Sequence, residues 1–297
     1  MGLAASTSRQ AGIATFFTVL VMPFSAMADS FTFSTGDVTN LIATTSQPSG
    51  PGIETETGDD FVLTQPTSIT HADFTGLIPS GSNITNVVIE VYRVFPNDSN
   101  VNRTSGPPTF STSQVPTRVN SPSDVEFDGR SAAMGTLTFV PKLLNSSFTA
   151  NSSVQVGGIK LMGGSDGSVS GQEVQFSVNF VEPFTLPADH YFFVPQVSLS
   201  TGQFLWLSGT RPITAPDGTP FPPGFADLQA WIRDANLDPD WMRVGTDIIG
   251  GGATFNMAFD LNGVTVPGPI AGAGVPGLIF GAGGLLAWWR RRRNLAA

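Results

Sequence analysis

The chain of 297 residues contains no cysteine, which excludes disulfide staples, thiolate metal sites and cysteine nucleophiles. Charge is scarce as well. Asp, Glu, Lys and Arg together make up 12%, against about a quarter in an ordinary soluble domain. Ser, Thr, Asn and Gly must therefore meet the solvent, as befits an exported protein better than a cytoplasmic enzyme. Basic groups are the scarcest: from Asp29 to Asp260 the chain holds all 23 Asp and Glu but 9 Lys and Arg, a net charge of −14. That field repels a phosphate backbone, and no basic stripe interleaved with aromatics opposes it, so nucleic acid is not an expected partner.

What is present begins at the ends. Behind Arg9, an apolar run from Ala11 to Met22 leads into Ser25-Ala26-Met27-Ala28. This is the three-part pattern of a secretory signal, too short to span a membrane, with the small residues Ala26 and Ala28 placing cleavage before Asp29. Residues 1–28 are therefore expected to be a signal peptide handled by the Sec translocon and signal peptidase. At the far end residues 270–289 carry no charge. At about 1.5 Å per residue they are long enough to cross the roughly 30 Å hydrocarbon core as a helix. Trp288 and Trp289 would sit at the interface, and the cluster Arg290, Arg291, Arg292 and Arg293 would stay cytoplasmic, so both ends agree on an outward-facing middle.

The order Val266-Pro267-Gly268-Pro269, Gly-rich apolar segment, Trp288-Trp289 and arginine run resembles the PEP-CTERM sorting signal of Gram-negative bacteria. The resemblance covers residues 266–297. It implies recognition of Pro267, Gly268 and Pro269 by an exosortase, a membrane transpeptidase that cleaves near the motif and passes the protein to the cell surface. It also implies a role beside exopolysaccharide. Gly268 stands where the family usually has Glu, which leaves processing and permanent membrane anchoring as two alternatives.

Between the ends, residues 29–265 are expected to form one all-β antiparallel sandwich, because period-2 alternation dominates. Val174, Phe176, Val178 and Phe180 share one face of residues 173–180, while Glu173, Gln175, Ser177 and Asn179 share the other. Residues 87–95 and 256–262 alternate similarly, and 31–34, 60–63, 136–140, 154–161, 191–199 and 204–207 are further candidate strands. One short helix is predicted over 224–235, where Phe225, Leu228, Trp231, Ile232 and Ala235 follow helical spacing. Residues 101–124, rich in proline, read as a long loop.

Candidate chemistry is sparse. His71-x-Asp73 places two side chains on one face of a strand, and His190 follows Asp189, but two ligands do not define a metal site. Gly163-x-Ser165-x-Gly167 has the spacing of a nucleophile elbow without a following helix, and a hairpin turn accounts for it. Asp59, Asp60, Glu173, Glu182, Asp238 and Asp240 are the carboxylates from which a glycoside hydrolase could draw a pair. Calcium, unassigned to any site, is the one cofactor that loop residues such as Asp166 and Asp217 would suit. Trp206, Trp231 and Trp241, close to Asp and Asn, are where a carbohydrate-binding or adhesive face would lie, though such rings are more often core. The leading expectation is an exported, non-enzymatic cell-surface or matrix protein, with a carbohydrate-binding module and a secreted hydrolase as alternatives.

Overall fold

The computed structural model describes residues 28–50, 52–103, 115–211 and 225–266, together with Gly284. The signal segment up to Met27, Pro267 to Pro269 and the Trp288–Arg293 flank lie outside the described residues. Among those described, no helix is long and apolar enough to cross a membrane.

The described residues form fourteen strands in chain order: β1 (Ser30–Ser34), β2 (Val38–Thr45), β3 (Thr55–Leu63), β4 (Thr67–Ile78), β5 (Ile84–Arg93), β6 (Asp128–Ser131) and β7 (Leu137–Ala150). After these come β8 (Ser153–Val154), β9 (Val169–Leu186), β10 (Asp189–Leu199), β11 (Leu205–Gly209), β12 (Trp231–Asp234), β13 (Met242–Arg243) and β14 (Phe259–Thr265), with one π-helical turn at Val244–Ile249 before the last. They form two sheets. The larger runs β1-β14-β4-β11-β2-β8, with β9 on the other side of β4 and β7 beyond it; the smaller runs β13-β12-β3-β10-β5-β6. All pairings among these strands are antiparallel except β2 with β8.

The core lies between the sheets and is built of rings. Phe74 stacks on Phe176 at 4.9 Å, and Phe204 meets both edge-on. From the smaller sheet Phe193 reaches across to Phe74, Trp206 and Phe259. Each such pair is worth about 0.5–1.5 kcal/mol beyond the area it buries, so a compact block of phenylalanine replaces the missing disulfides. The all-β expectation therefore holds, and the runs at 31–34, 60–63, 87–95, 136–140, 173–180, 191–199, 204–207 and 256–262 all fall on strands wholly or in part.

Two expectations are corrected. No helix occupies 225–235: Trp231–Asp234 is β12, paired with β3. Its adjacent residues Trp231 and Ile232 are both buried, on opposite faces, because the outer face of the smaller sheet is covered too, and two-sided burial mimics helical spacing. In the run 154–161 the strand ends at Val154 and turns follow, with Gly157 at φ 91°.

Gly76 marks a tight approach in the core. A Cβ there would lie 2.3 Å from the Phe204 ring and 2.6 Å from the Leu205 carbonyl oxygen, both held by the aromatic block. Gly76→Ala is expected to lower unfolding free energy by about 1–3 kcal/mol through overpacking, measured by denaturant titration. An unchanged midpoint would mean that Phe204 moves freely.

Candidate functional site

The outer face of the smaller sheet carries the densest polar chemistry. Cross-strand register sets Arg233 of β12 beside Glu56 of β3, Phe192 of β10 beside Tyr92 of β5, and Val194 beside Glu90. Around the apolar centre formed by Phe192, Val194, Leu228, Trp231 and Trp241, these side chains close into one network. The Tyr92 hydroxyl lies 2.9 Å from Glu56 Oε1 and 3.0 Å from Glu90 Oε2. It also accepts a bond from Arg233 Nη2 at 2.9 Å. Arg233 Nε donates to Glu56 Oε2, and its guanidinium lies 4.4 Å over the Trp241 ring.

Proton bookkeeping then assigns one charge state. The Tyr92 phenol has a single proton to donate and faces two carboxyl groups, so one carboxyl must itself be protonated. That one is Glu90: burial, and next the charge of Glu56, push it up to about 9. Burial also raises Glu54 and Glu126 around the same network, with Glu56 adding to both.

A second buried cluster ties down the neighbouring chain. Asp60 accepts from His190 at 2.6 Å, from the Leu228 backbone N–H at 3.1 Å and from Arg211 Nη2 at 3.0 Å. Asp59 points to the other face of β3 and accepts from the Met257 N–H at 2.8 Å. Arg211 Nη2 also reaches Asp227 at 3.0 Å. Three carboxylates thus share one arginine out of reach of water. Leaving all three ionised would cost several kcal/mol, so protons are retained instead. Burial holds Asp59 well above the usual carboxylate range, opposed by Arg211, and pushes Asp227 up to about 7.

Beside the first network a half-open cavity of about 790 Å³ opens at the end of the smaller sheet. Its one wall is the loop joining β12 to β13, which turns where the Asp234 carboxylate accepts the N–H groups of Asn236 and Leu237, each at 3.0 Å. Asp234, Asn236, Asp238 and Asp240, at every second position, line the cavity. Its other wall is the segment Ile159-Lys160-Leu161, pinned to the π-helical turn by Met162 N–H donating to Asp247 O at 2.7 Å. Arg103 completes the rim and is bonded to Asp240 and Asp124. Arg233 Nη1 holds Asp238 at 2.7 Å, joining the cavity to the proton-holding network.

The residues singled out in the sequence are distributed otherwise than a ligand face would require. Trp206, Trp231 and Trp241 are 0%, 1% and 2% exposed, so none offers a ring for a sugar to stack on. Trp206 donates its indole N–H to Ala258 O at 2.9 Å and Trp241 to Ser123 O at 3.2 Å, and the last two rings pack under the outer face. Of the candidate carboxylates, Asp59 and Asp60 are fully buried, Glu173 accepts from Asn145 at 2.5 Å, and Asp238 and Asp240 reach the cavity, each bonded to an arginine. Glu182 lies apart on β9.

His71 and Asp73 do share a face, 3.0 Å apart, with Asn179 on the other ring nitrogen and Ser177 at 3.4 Å from Nε2. Asp73 and Ser177 compete there for one nitrogen, and strand backbone surrounds them. Ser165 caps a turn by accepting from Gly167 N–H at 2.9 Å, and β9 rather than a helix follows. For calcium, no three His, Asp or Glu among the described residues converge as a ligand set. Ala28, Asp29 and Val266 are exposed. The cavity lining of Arg103, Lys160 and Leu161 was missed, because it meets the loop across long sequence separations; the Asp/Asn alternation from 234 to 240 was the available signal.

The Glu90 proton has a consequence for stability. The folded carboxyl binds a proton up to about pH 9, whereas the unfolded one releases it near its ordinary 4.5. Its contribution is therefore complete below pH 4.5 and is lost as pH rises toward 9. Asp227 and Asp59 act in the same direction. The unfolding temperature should fall from pH 5 to pH 9. Glu90→Gln, which keeps a donor but cannot ionise, should make that slope shallower by up to roughly 1.4 kcal/mol per pH unit. Parallel slopes for the two proteins would place the proton elsewhere.

Compared with known proteins, the chain matches no family model, no curated protein and no solved structure.

Proposed function

We propose that the chain is an exported protein whose β unit serves outside the cytoplasm as a non-catalytic cell-surface or matrix component. It is delivered by the Sec translocon and signal peptidase, and is either anchored in the membrane or sorted by an exosortase. A place beside exopolysaccharide follows from the same resemblance at residues 266–297.

One observation carries the reading. Among the described residues, the first and last strands lie just inside the two positions at which processing is proposed. β1 starts at Ser30, directly after the Asp29 that would follow cleavage, and β14 ends at Thr265, directly before Val266-Pro267-Gly268-Pro269. These two borders meet: Thr265 N–H donates to Asp29 O at 2.8 Å, and Asp29 N donates to Thr265 Oγ1 at 2.9 Å. Neither cleavage removes a residue of either strand, so processing at both ends is compatible with an intact fold.

Intact mass and fractionation of the protein from its native host, with and without the exosortase, test this. A product that starts at Asp29, lacks the segment after the motif and leaves the inner membrane only when the enzyme is present is expected for sorting, and Gly268→Glu should increase that fraction. Retention of residues 270–297 in the inner membrane in both strains would rule out sorting and leave the anchored form. An unprocessed cytoplasmic chain would overturn export altogether.

A further inference from the structure

We infer that the cavity between the Asp234–Asp240 loop and the Ile159–Leu161 segment is a binding site for a neutral, hydroxyl-rich ligand of the saccharide class. The inference is independent of where the protein is delivered, and it uses none of the tryptophans.

Charge decides the ligand class first. Around the cavity stand three cations, Arg103, Lys160 and Arg233, and four carboxylates, Asp124, Asp234, Asp238 and Asp240. The two arginines are already paired, Arg103 with Asp124 and Asp240, and Arg233 with Asp238. A site so nearly balanced has no excess positive charge to attract phosphate or a polyanion. Its carboxylates are held apart by arginines rather than converging on a point, so a hard cation is not accommodated either. A neutral ligand is left.

Hydrogen-bonding capacity decides next. The turning loop puts three carboxylates and a carboxamide, from Asp234, Asn236, Asp238 and Asp240, on one wall of the cavity, and Asn236 and Asp238 are exposed. Lys160 faces them as an exposed donor. Carboxylates only accept, ammonium only donates, and the carboxamide does both. A hydroxyl group both donates and accepts, so a ligand with several hydroxyls on one ring can satisfy all three kinds of partner. An apolar ligand would strand them, and a peptide carries fewer such groups per unit of surface.

Shape completes the argument. Ile159 and Leu237 are half-buried and pack against the main core, giving the cavity an apolar side, while Leu161 at 41% exposure overhangs it. The C–H face of a sugar ring can rest against such aliphatic side chains while its hydroxyls meet the polar wall. About 790 Å³ lies within the usual range for small-molecule sites, roughly 300–1,000 Å³, and its half-open form admits part of a longer chain.

Calorimetric titration of the full-length chain, in a detergent without a sugar headgroup, against a panel of soluble neutral and acidic oligosaccharides tests the assignment, with calcium and inorganic phosphate as comparison ligands. At least one neutral oligosaccharide should bind, and hydrogen exchange should slow at 159–161 and 234–240. Asn236→Ala with Asp238→Asn should weaken binding at least tenfold, and Leu161→Asp, which leaves those polar groups in place, should weaken it too. Lys142→Ala, on β7 of the other sheet, should change nothing. Unchanged unfolding temperatures would show that the variants fold. Failure of every oligosaccharide to bind, binding that survives both cavity variants, or a response to calcium or phosphate mapped to these segments would each overturn the inference.

Discussion

Strand β3 is buried along all nine of its residues and yet carries Glu56, Asp59 and Asp60. A β strand alternates its side chains between two faces, so these acids look into both the core and the outer layer. Neither direction offers water. The fold must bring a cation or retain a proton for each, and that requirement organises everything packed on the smaller sheet. Arg233 arrives on β12 for Glu56, and Arg211, just beyond β11, arrives for Asp59 and Asp60. Buried ion pairs of this kind add little net stability over well-packed apolar groups, but removing one partner is costly. They act as position markers: few other placements of these two segments leave β3 without uncompensated charge.

The alternating strands were legible in the sequence because one face of each meets the core and the other meets solvent or short polar groups, as at Val174, Phe176 and Val178 on β9. Where that asymmetry fails, the sequence misleads. On β4 the register shifts between Ile69 and His71, so the inward residues Ile69 and Ala72 are three apart and the alternation breaks. On β12 both faces are buried. Asp59 and Asp60 of β3 read as candidates for a catalytic pair, because nothing local announces that Arg211, more than 150 residues away, will cover them.

The tryptophans illustrate the same limit. Trp241 sits beside Asp238 and Asp240 in sequence, an arrangement that suggests a sugar platform. In the structure its ring lies beneath the Arg233 guanidinium and edge-on to Tyr92 at 5.2 Å, where it supports the arginine that holds Asp238 in place. The polar residues of that stretch reach the cavity and the aromatic one does not. Local composition drew attention to a loop that lines a cavity, and packing on the covered outer face decided which of its side chains faces out.

β14 lies between β1 and β4, hydrogen-bonded to both, and the chain leaves it at Val266. Antiparallel ladder bonds run across the strand direction. A load drawn lengthwise through Val266 would therefore stress two ladders together, as a shear, instead of opening one bond after another as in a peel. Tension applied along β14 is thus met by both neighbouring strands at once, β1 on one side and β4 on the other.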